Sequence, residues 1–120
     1  MILVVDDDHA ITQILHDLLK QDGYDVRSAA NGEAAYALIR QVPCEGILLD
    51  MMMPGINGAG FLMLLASEAV SVPVVVMTGN PDYSEDEVRE FPNVVGFLKK
   101  PFYPEEAVSL VRRFMAPPKA

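Results

Sequence analysis

Gly46-Ile47-Leu48-Leu49-Asp50-Met51-Met52-Met53-Pro54-Gly55-Ile56-Asn57-Gly58 is the stretch on which the reading of this chain turns. Its first four residues form an apolar run that stops on a single carboxylate, Asp50. A turn-forming Pro54-Gly55 and a second glycine, Gly58, follow at once. A buried strand that ends on a charged group and then a loop is how a parallel α/β sheet presents chemistry at its carboxyl edge. Three other runs behave alike. Ile2-Leu3-Val4-Val5 stops on Asp6-Asp7-Asp8, Val72-Pro73-Val74-Val75-Val76-Met77 on Thr78-Gly79, and Val94-Val95-Gly96-Phe97-Leu98 on Lys99-Lys100-Pro101. In a parallel sheet all four ends share one edge.

Helical patterns fill the intervals. Ile11, Ile14, Leu15, Leu18 and Leu19 lie at the spacing of a core-facing helix that Asp8 can cap and Gly23 can end. Residues 24–29 read as an edge strand. Asn31 caps a second helix with Ala34, Ala35, Leu38, Ile39 and Val42 on one face, stopped at Pro43. A third helix over about 58–69 buries Phe61, Leu62 and Leu65, and a final one from Pro104 carries Ala107, Val108, Val111 and Met115. The fourth is the weak one. Ser84-x-x-Glu87 is a capping-box pattern, but Pro92 ends the helix early, and the acidic stretch 80–93, Asp82 included, offers only Val88 and Phe91 for burial. Five strands alternating with five helices predict an α/β fold: a doubly wound, five-stranded parallel sheet with helices on both faces. Residues 1–116 form one domain, and 117–120 a tail or a linker.

Composition narrows the function. A length of 120 residues with 51% apolar content supports one core without a staple. The net charge of −8 argues against direct nucleic-acid or anionic-membrane contact and favours protein partners. The single cysteine, Cys44, allows no internal disulfide and reads as an inert buried thiol. No run reaches membrane-spanning length, and Met1 leads directly into a core-like strand, so the expected compartment is the cytoplasm.

With strands ordered 2-1-3-4-5, Asp6-Asp7 and Asp50 meet at the topological switch point. Carboxylates about 5 Å apart repel by roughly 3 kcal/mol per pair at an effective dielectric of about 20. Such a group raises at least one carboxyl pKa and calls for protons or a divalent metal. Hard oxygen donors suit Mg²⁺, which Mn²⁺ could replace; zinc is not served by one Cys and a His9–His16 pair without a third ligand. Carboxylates, a hydroxyl and an ammonium around one point make a phosphoryl site in which the carboxylate is the nucleophile.

Val4-Val5-Asp6-Asp7, Asp50 with Met53-Pro54-Gly55 and Gly58, Met77-Thr78-Gly79 and Lys99-Lys100-Pro101-Phe102 together make the chain resemble the receiver domain of two-component response regulators, over essentially its whole length. The resemblance supplies part of the ground for the flavodoxin-like order 2-1-3-4-5. It implies a Mg²⁺-dependent phosphoryl acceptor rather than an enzyme on other substrates, catalysing only its own phosphorylation and dephosphorylation. Asp50 is then the acceptor, and Asp6, Asp7, Asp50 and the backbone carbonyl of Met52 hold the metal. Thr78 binds a phosphoryl oxygen, Lys100 pairs with the phosphate, and Phe97 stands at the aromatic switch position, without a tyrosine's hydroxyl. The implied partners are a histidine kinase or histidine phosphotransfer protein, and an output domain or a second copy.

Two rivals share some of these residues. A haloacid-dehalogenase-like phosphatase would use Asp6-x-Asp8, but position 10 is Ala10, no later Asp pair follows Lys100, and no cap domain fits. A phosphorylation-independent receiver-like interaction module would not need the acidic pair, Thr78 and Lys100 together.

Overall fold

A computed structural model describes residues 1–53, 55–80 and 84–118. Its elements run β1 (Ile2–Val5), α1 (His9–Gln21), β2 (Val26–Ala29), α2 (Gly32–Gln41), β3 (Gly46–Asp50), α3 (Gly58–Ser67), β4 (Val74–Thr78), α4 (Glu85–Val88), β5 (Val94–Lys99) and α5 (Pro104–Phe114). The five strands form one parallel sheet in the order β2-β1-β3-β4-β5. The doubly wound expectation holds, with β3 at the centre and β1 and β4 beside it.

Strand side chains alternate between two cores. Leu3, Val5, Ile47, Leu49, Val74 and Val76 meet Ala35 of α2, Phe61, Leu62 and Leu65 of α3, and Val88 of α4. Ile2, Val4, Leu48, Val75 and Met77 meet Leu15 and Leu19 of α1 and Ala107, Val108 and Val111 of α5. Every residue of β1, β3 and β4 is buried, which is why these runs are continuously apolar instead of alternating. Each such Leu, Ile or Phe contributes about 1.5–3 kcal/mol of transfer free energy.

The caps follow the expected chemistry. Asp8 accepts from the N–H groups of Ala10 and Ile11 at 2.9 and 3.3 Å, Asn31 from Ala34 at 2.8 Å, and Ser84 from Glu87 at 3.2 Å. Tyr103 precedes α5 without a side-chain cap. Gly23, at φ +96°, closes α1 in a conformation that a side chain would strain.

Some expectations need correction. Ile14 is 46% exposed and Ala34 is exposed, because the buried stripes of α1 and α2 are narrower than the periodicity allowed. Helix α3 stops at Ser67, where Ala69 turns to φ +55°. Helix α4 is a single turn, and Cys44 is half-buried and free. The Pro54 turn position and Asp82 lie outside the described residues. Among the described residues no helix is long and apolar enough to cross a membrane.

Candidate functional site

The carboxyl ends of β1, β3, β4 and β5 gather as the sequence demanded. The register sets Val5 beside Leu49, Asp50 beside Met77, and Thr78 beside Lys99. Three successive acids then take three different tasks. Asp6 turns inward and is buried, accepting from the N–H of Asp8 at 2.9 Å. Asp7 stays exposed, and Asp8 caps α1. Asp50, 3% exposed, ends β3 and accepts from the N–H of Met52 at 3.1 Å. Lys100 Nζ stands 2.9 Å from Asp6 Oδ2 and 3.5 Å from Asp50 Oδ2, while Lys99 points to solvent. Thr78 is buried, and its hydroxyl oxygen accepts from the N–H of Asn80 at 3.0 Å. An open cleft of about 430 Å³ is lined by Asp7, Asp8, Asp50, Met52, Gly79, Asn80 and Lys100.

Glycines shape this edge where a side chain could not fit. A Cβ on Gly58 would lie 2.5 Å from the Met51 Cα, so the loop can return against the strand end only with glycine there. Gly55 takes φ +74°. Glu33, in the first turn of α2, accepts from the N–H of Ile56 at 3.1 Å and so pins the loop that follows Asp50. That tether was not legible in the sequence, where Glu33 reads only as an acid favoured near a helix N-terminus. Asn57 caps α3, accepting from Gly60 at 2.8 Å.

Burial pushes the Asp50 carboxyl up to about 6, and the neighbouring Asp6 charge adds to the rise, against the Met52 N–H and the Lys100 ammonium. Carboxylate crowding is therefore real, but burial is the larger cause. Burial would also pull the Lys100 ammonium down. Its hydrogen bond to Asp6 and the charges of Asp6 and Asp50 outweigh that and hold it above the usual lysine value. Lys100 is shared between two carboxylates.

Carboxylate oxygens of Asp6, Asp7 and Asp50 lie within 4.8 Å of one another. Three hard oxygen donors beside an open cleft fit a divalent cation that keeps part of its water shell. Met52 lies on the wall of this cleft with its side chain turned outward. Phe97 is not brought to the cleft. It is half-buried on β5 against the α2–α3 core, and its open side faces a separate hollow lined by Glu105, Glu106, Ser109 and Leu110.

The family model of the response regulator receiver domain matches residues 2–112. The chain belongs to this family. It is similar to the DNA-binding response regulator MtrA of Mycobacterium tuberculosis, at 32% identity over 92% of this chain and 48% of MtrA. The probable transcriptional regulator ycf27 of Porphyridium aerugineum is 35% identical over 92% of this chain and 46% of its own length. This receiver domain thus spans about half the length of the curated relatives it matches. Among solved structures, the receiver domain of the Francisella response regulator 1452 superposes with a TM-score of 0.84 at 28% identity, covering 94% of this chain and 93% of that one. The response regulator TrrA of Thermotoga maritima, solved in complex with Mg²⁺-BeF, gives 0.81 at 26% identity over 94% and 96%. Membership favours neither the phosphatase nor the phosphorylation-independent reading: this is a signalling receiver domain of two-component systems.

Proposed function

We propose that this domain receives a phosphoryl group on Asp50 from a histidine kinase or histidine phosphotransfer protein, in a Mg²⁺-dependent reaction. The observation that carries the reading is the buried Asp50 carboxylate at the end of the central strand, 3.5 Å from Lys100 Nζ and grouped with Asp6 and Asp7. One carboxylate oxygen of Asp50 forms the new P–O bond. The donor's P–N bond breaks, and its electron pair stays with the imidazole nitrogen. The Met52 N–H holds the other oxygen and fixes the carboxylate plane. Lys100 can turn from the two carboxylates to the arriving phosphoryl oxygens, and the Thr78 hydroxyl can donate to one of them. Asp6, Asp7, Asp50 and the Met52 carbonyl would hold the metal. Once bound, Mg²⁺ supplies positive charge for the transferring oxygens, which is most of what phosphoryl transfer requires.

Hydrolysis of the aspartyl phosphate by water then resets the domain. Phe97 we assign as the switch residue that reads the state of Thr78, from the side of the sheet rather than from the cleft. We place the receiver at residues 1–116, with 117–120 as a tail or a linker, and the whole in the cytoplasm. Output passes to a joined domain or a second copy. MtrA is a DNA-binding regulator; a domain of net charge −8 is unsuited to that task itself, so DNA contact would fall to an attached domain.

The test is acetyl phosphate with Mg²⁺, followed by intact mass. One added phosphoryl group is expected on the wild type, none on Asp50→Asn, and none in excess EDTA. Equal labelling of Asp50→Asn would remove Asp50 from the site, and labelling in EDTA would remove the metal.

A further inference from the structure

The cleft beside Asp50 carries a thioether to which phosphoryl transfer gives no task. The chain has seven methionines. Met1, Met51, Met53, Met77 and Met115 are buried, whereas Met52 and Met63 are 51% and 62% exposed. Met63 stands on α3, outside the cleft lining. Met52 lines the cleft, and its Sδ lies 3.3 Å from Asn80 Nδ2. The backbone N–H of Asn80 in turn donates to the Thr78 hydroxyl oxygen. A contact between thioether and amide therefore runs from the loop after β3 to the loop after β4, joining two walls of the cleft.

We propose that Met52 is an oxidation site, at which a peroxide slows phosphoryl transfer to Asp50; the inference rests on Asp50 being the acceptor. The Met52 sulfur attacks one peroxide oxygen, the O–O bond breaks, and an S–O bond forms. Sulfur loses two electrons and the peroxide gains them; the second peroxide oxygen leaves as hydroxide and takes the proton of the transferred oxygen, departing as water. The step is reversible by sulfoxide reductases. A thioether sulfur is a weak acceptor, and a sulfoxide oxygen is a strong one. Asn80 Nδ2 is already placed to donate to it. Oxidation thus converts a soft contact into a polar bridge across the cleft. It also sets a partial negative charge and its bound water in the path of an anionic phosphodonor. A net hydrogen bond of ordinary strength corresponds to about a fivefold slowing. Met63 serves as a built-in control, being as exposed but away from the cleft.

The experiment treats wild type, Met52→Leu and Met63→Leu with hydrogen peroxide and locates each sulfoxide by peptide mass. Phosphorylation by acetyl phosphate with Mg²⁺ is then timed, each variant being compared with its own unoxidised sample. Wild type and Met63→Leu should slow about fivefold on oxidation, while Met52→Leu keeps its own rate. The side-chain amide resonances of Asn80 should shift in the first two proteins and stay in place in the third. A confirmed Met52 sulfoxide with unchanged rate overturns the inference. So does a Met52→Leu protein that slows as the wild type does, or a Met52 that resists peroxide while Met63 oxidises. An unoxidised chain that takes no phosphoryl group on Asp50 fails earlier and differently: it sinks the proposed function, and this inference with it.

Discussion

Asp50→Asn should stabilise the metal-free domain, and only on one side of a pH window. Burial and the Asp6 charge lift the folded-state carboxyl from 3.8 to about 6. Because the folded value is the higher one, the fold binds more protons than the unfolded chain between these limits, so stability falls as pH rises through them. Below the unfolded value the penalty is absent, and above about 6 it is complete. At about 1.4 kcal/mol per pH unit the full penalty is about 3 kcal/mol. An amide at position 50 carries no charge and keeps an acceptor for the Met52 N–H, but loses the attraction of Lys100. The net gain expected at pH 7.5 is therefore about 1–2 kcal/mol. Urea unfolding in EDTA at pH 4 and pH 7.5 measures it. The variant should unfold later than wild type at pH 7.5, with the difference shrinking towards pH 4. Millimolar Mg²⁺ should then stabilise wild type more than the variant. A variant that is no more stable than wild type at pH 7.5, or a gain that grows towards pH 4, would refute the assignment of Asp50 as a buried, crowded acid.

Other substitutions probe the frame around the site. Tyr103 is 75% exposed and offers α5 no cap, so Tyr103→Asp should raise stability by about 0.5–1 kcal/mol in urea; a lower midpoint would mean that the ring is packed. Gly58→Ala sets a methyl 2.5 Å from the Met51 Cα and should cost about 1–3 kcal/mol, whereas no loss would show that the loop yields freely. Amide exchange over 84–93 should be faster than in β4 and should slow with Mg²⁺ and beryllofluoride. Protection equal to that of β4, unchanged by the ligand, counts against a state-dependent segment.

How much could be read beforehand depended on which interaction decided each feature. Strand runs such as Ile2–Val5 and Val74–Met77 were legible because full burial on both faces leaves little but apolar residues. Asp8, Asn31 and Ser84 were legible because a cap acts within three residues of itself. The alternation of elements put Asp6, Asp50, Thr78 and Lys100 on one edge of a parallel sheet, and the strand order that sets Asp6 beside Asp50 came in part from the family resemblance. Long-range contacts were opaque. The Glu33 tether to Ile56 spans 23 residues, and the Asn80 contact with Met52 spans 28. Helix amphipathicity also misleads at its margins: Ile14 has the spacing of a core residue, yet it borders an apolar groove lined by Ile11, Phe102 and Pro104 rather than the core itself.

The helices around the sheet are held with unequal strength, and this marks where a change at Asp50 can travel. On one side, α1 and α5 bury Leu15, Leu19, Ala107, Val108 and Val111, and Arg112 joins Asp22 through two hydrogen bonds of 2.6 and 2.7 Å. On the other, α3 buries Phe61, Leu62 and Leu65, whereas α4 is one turn with Val88 as its buried anchor and Glu85, Asp86 and Glu87 at its start. Asp50 belongs to neither side. Its strand is packed on both faces and flanked by β1 and β4, so a charge change there cannot shift the strand without disturbing both cores. The response must come from groups beyond the strand ends: Lys100, Asn80 and the Thr78 hydroxyl. Of these, Thr78 ends the strand that precedes α4, where the least burial opposes movement. In the role proposed for Asp50, a rigid acceptor beside a weakly anchored helix would turn a local change in charge into a change of surface near α4.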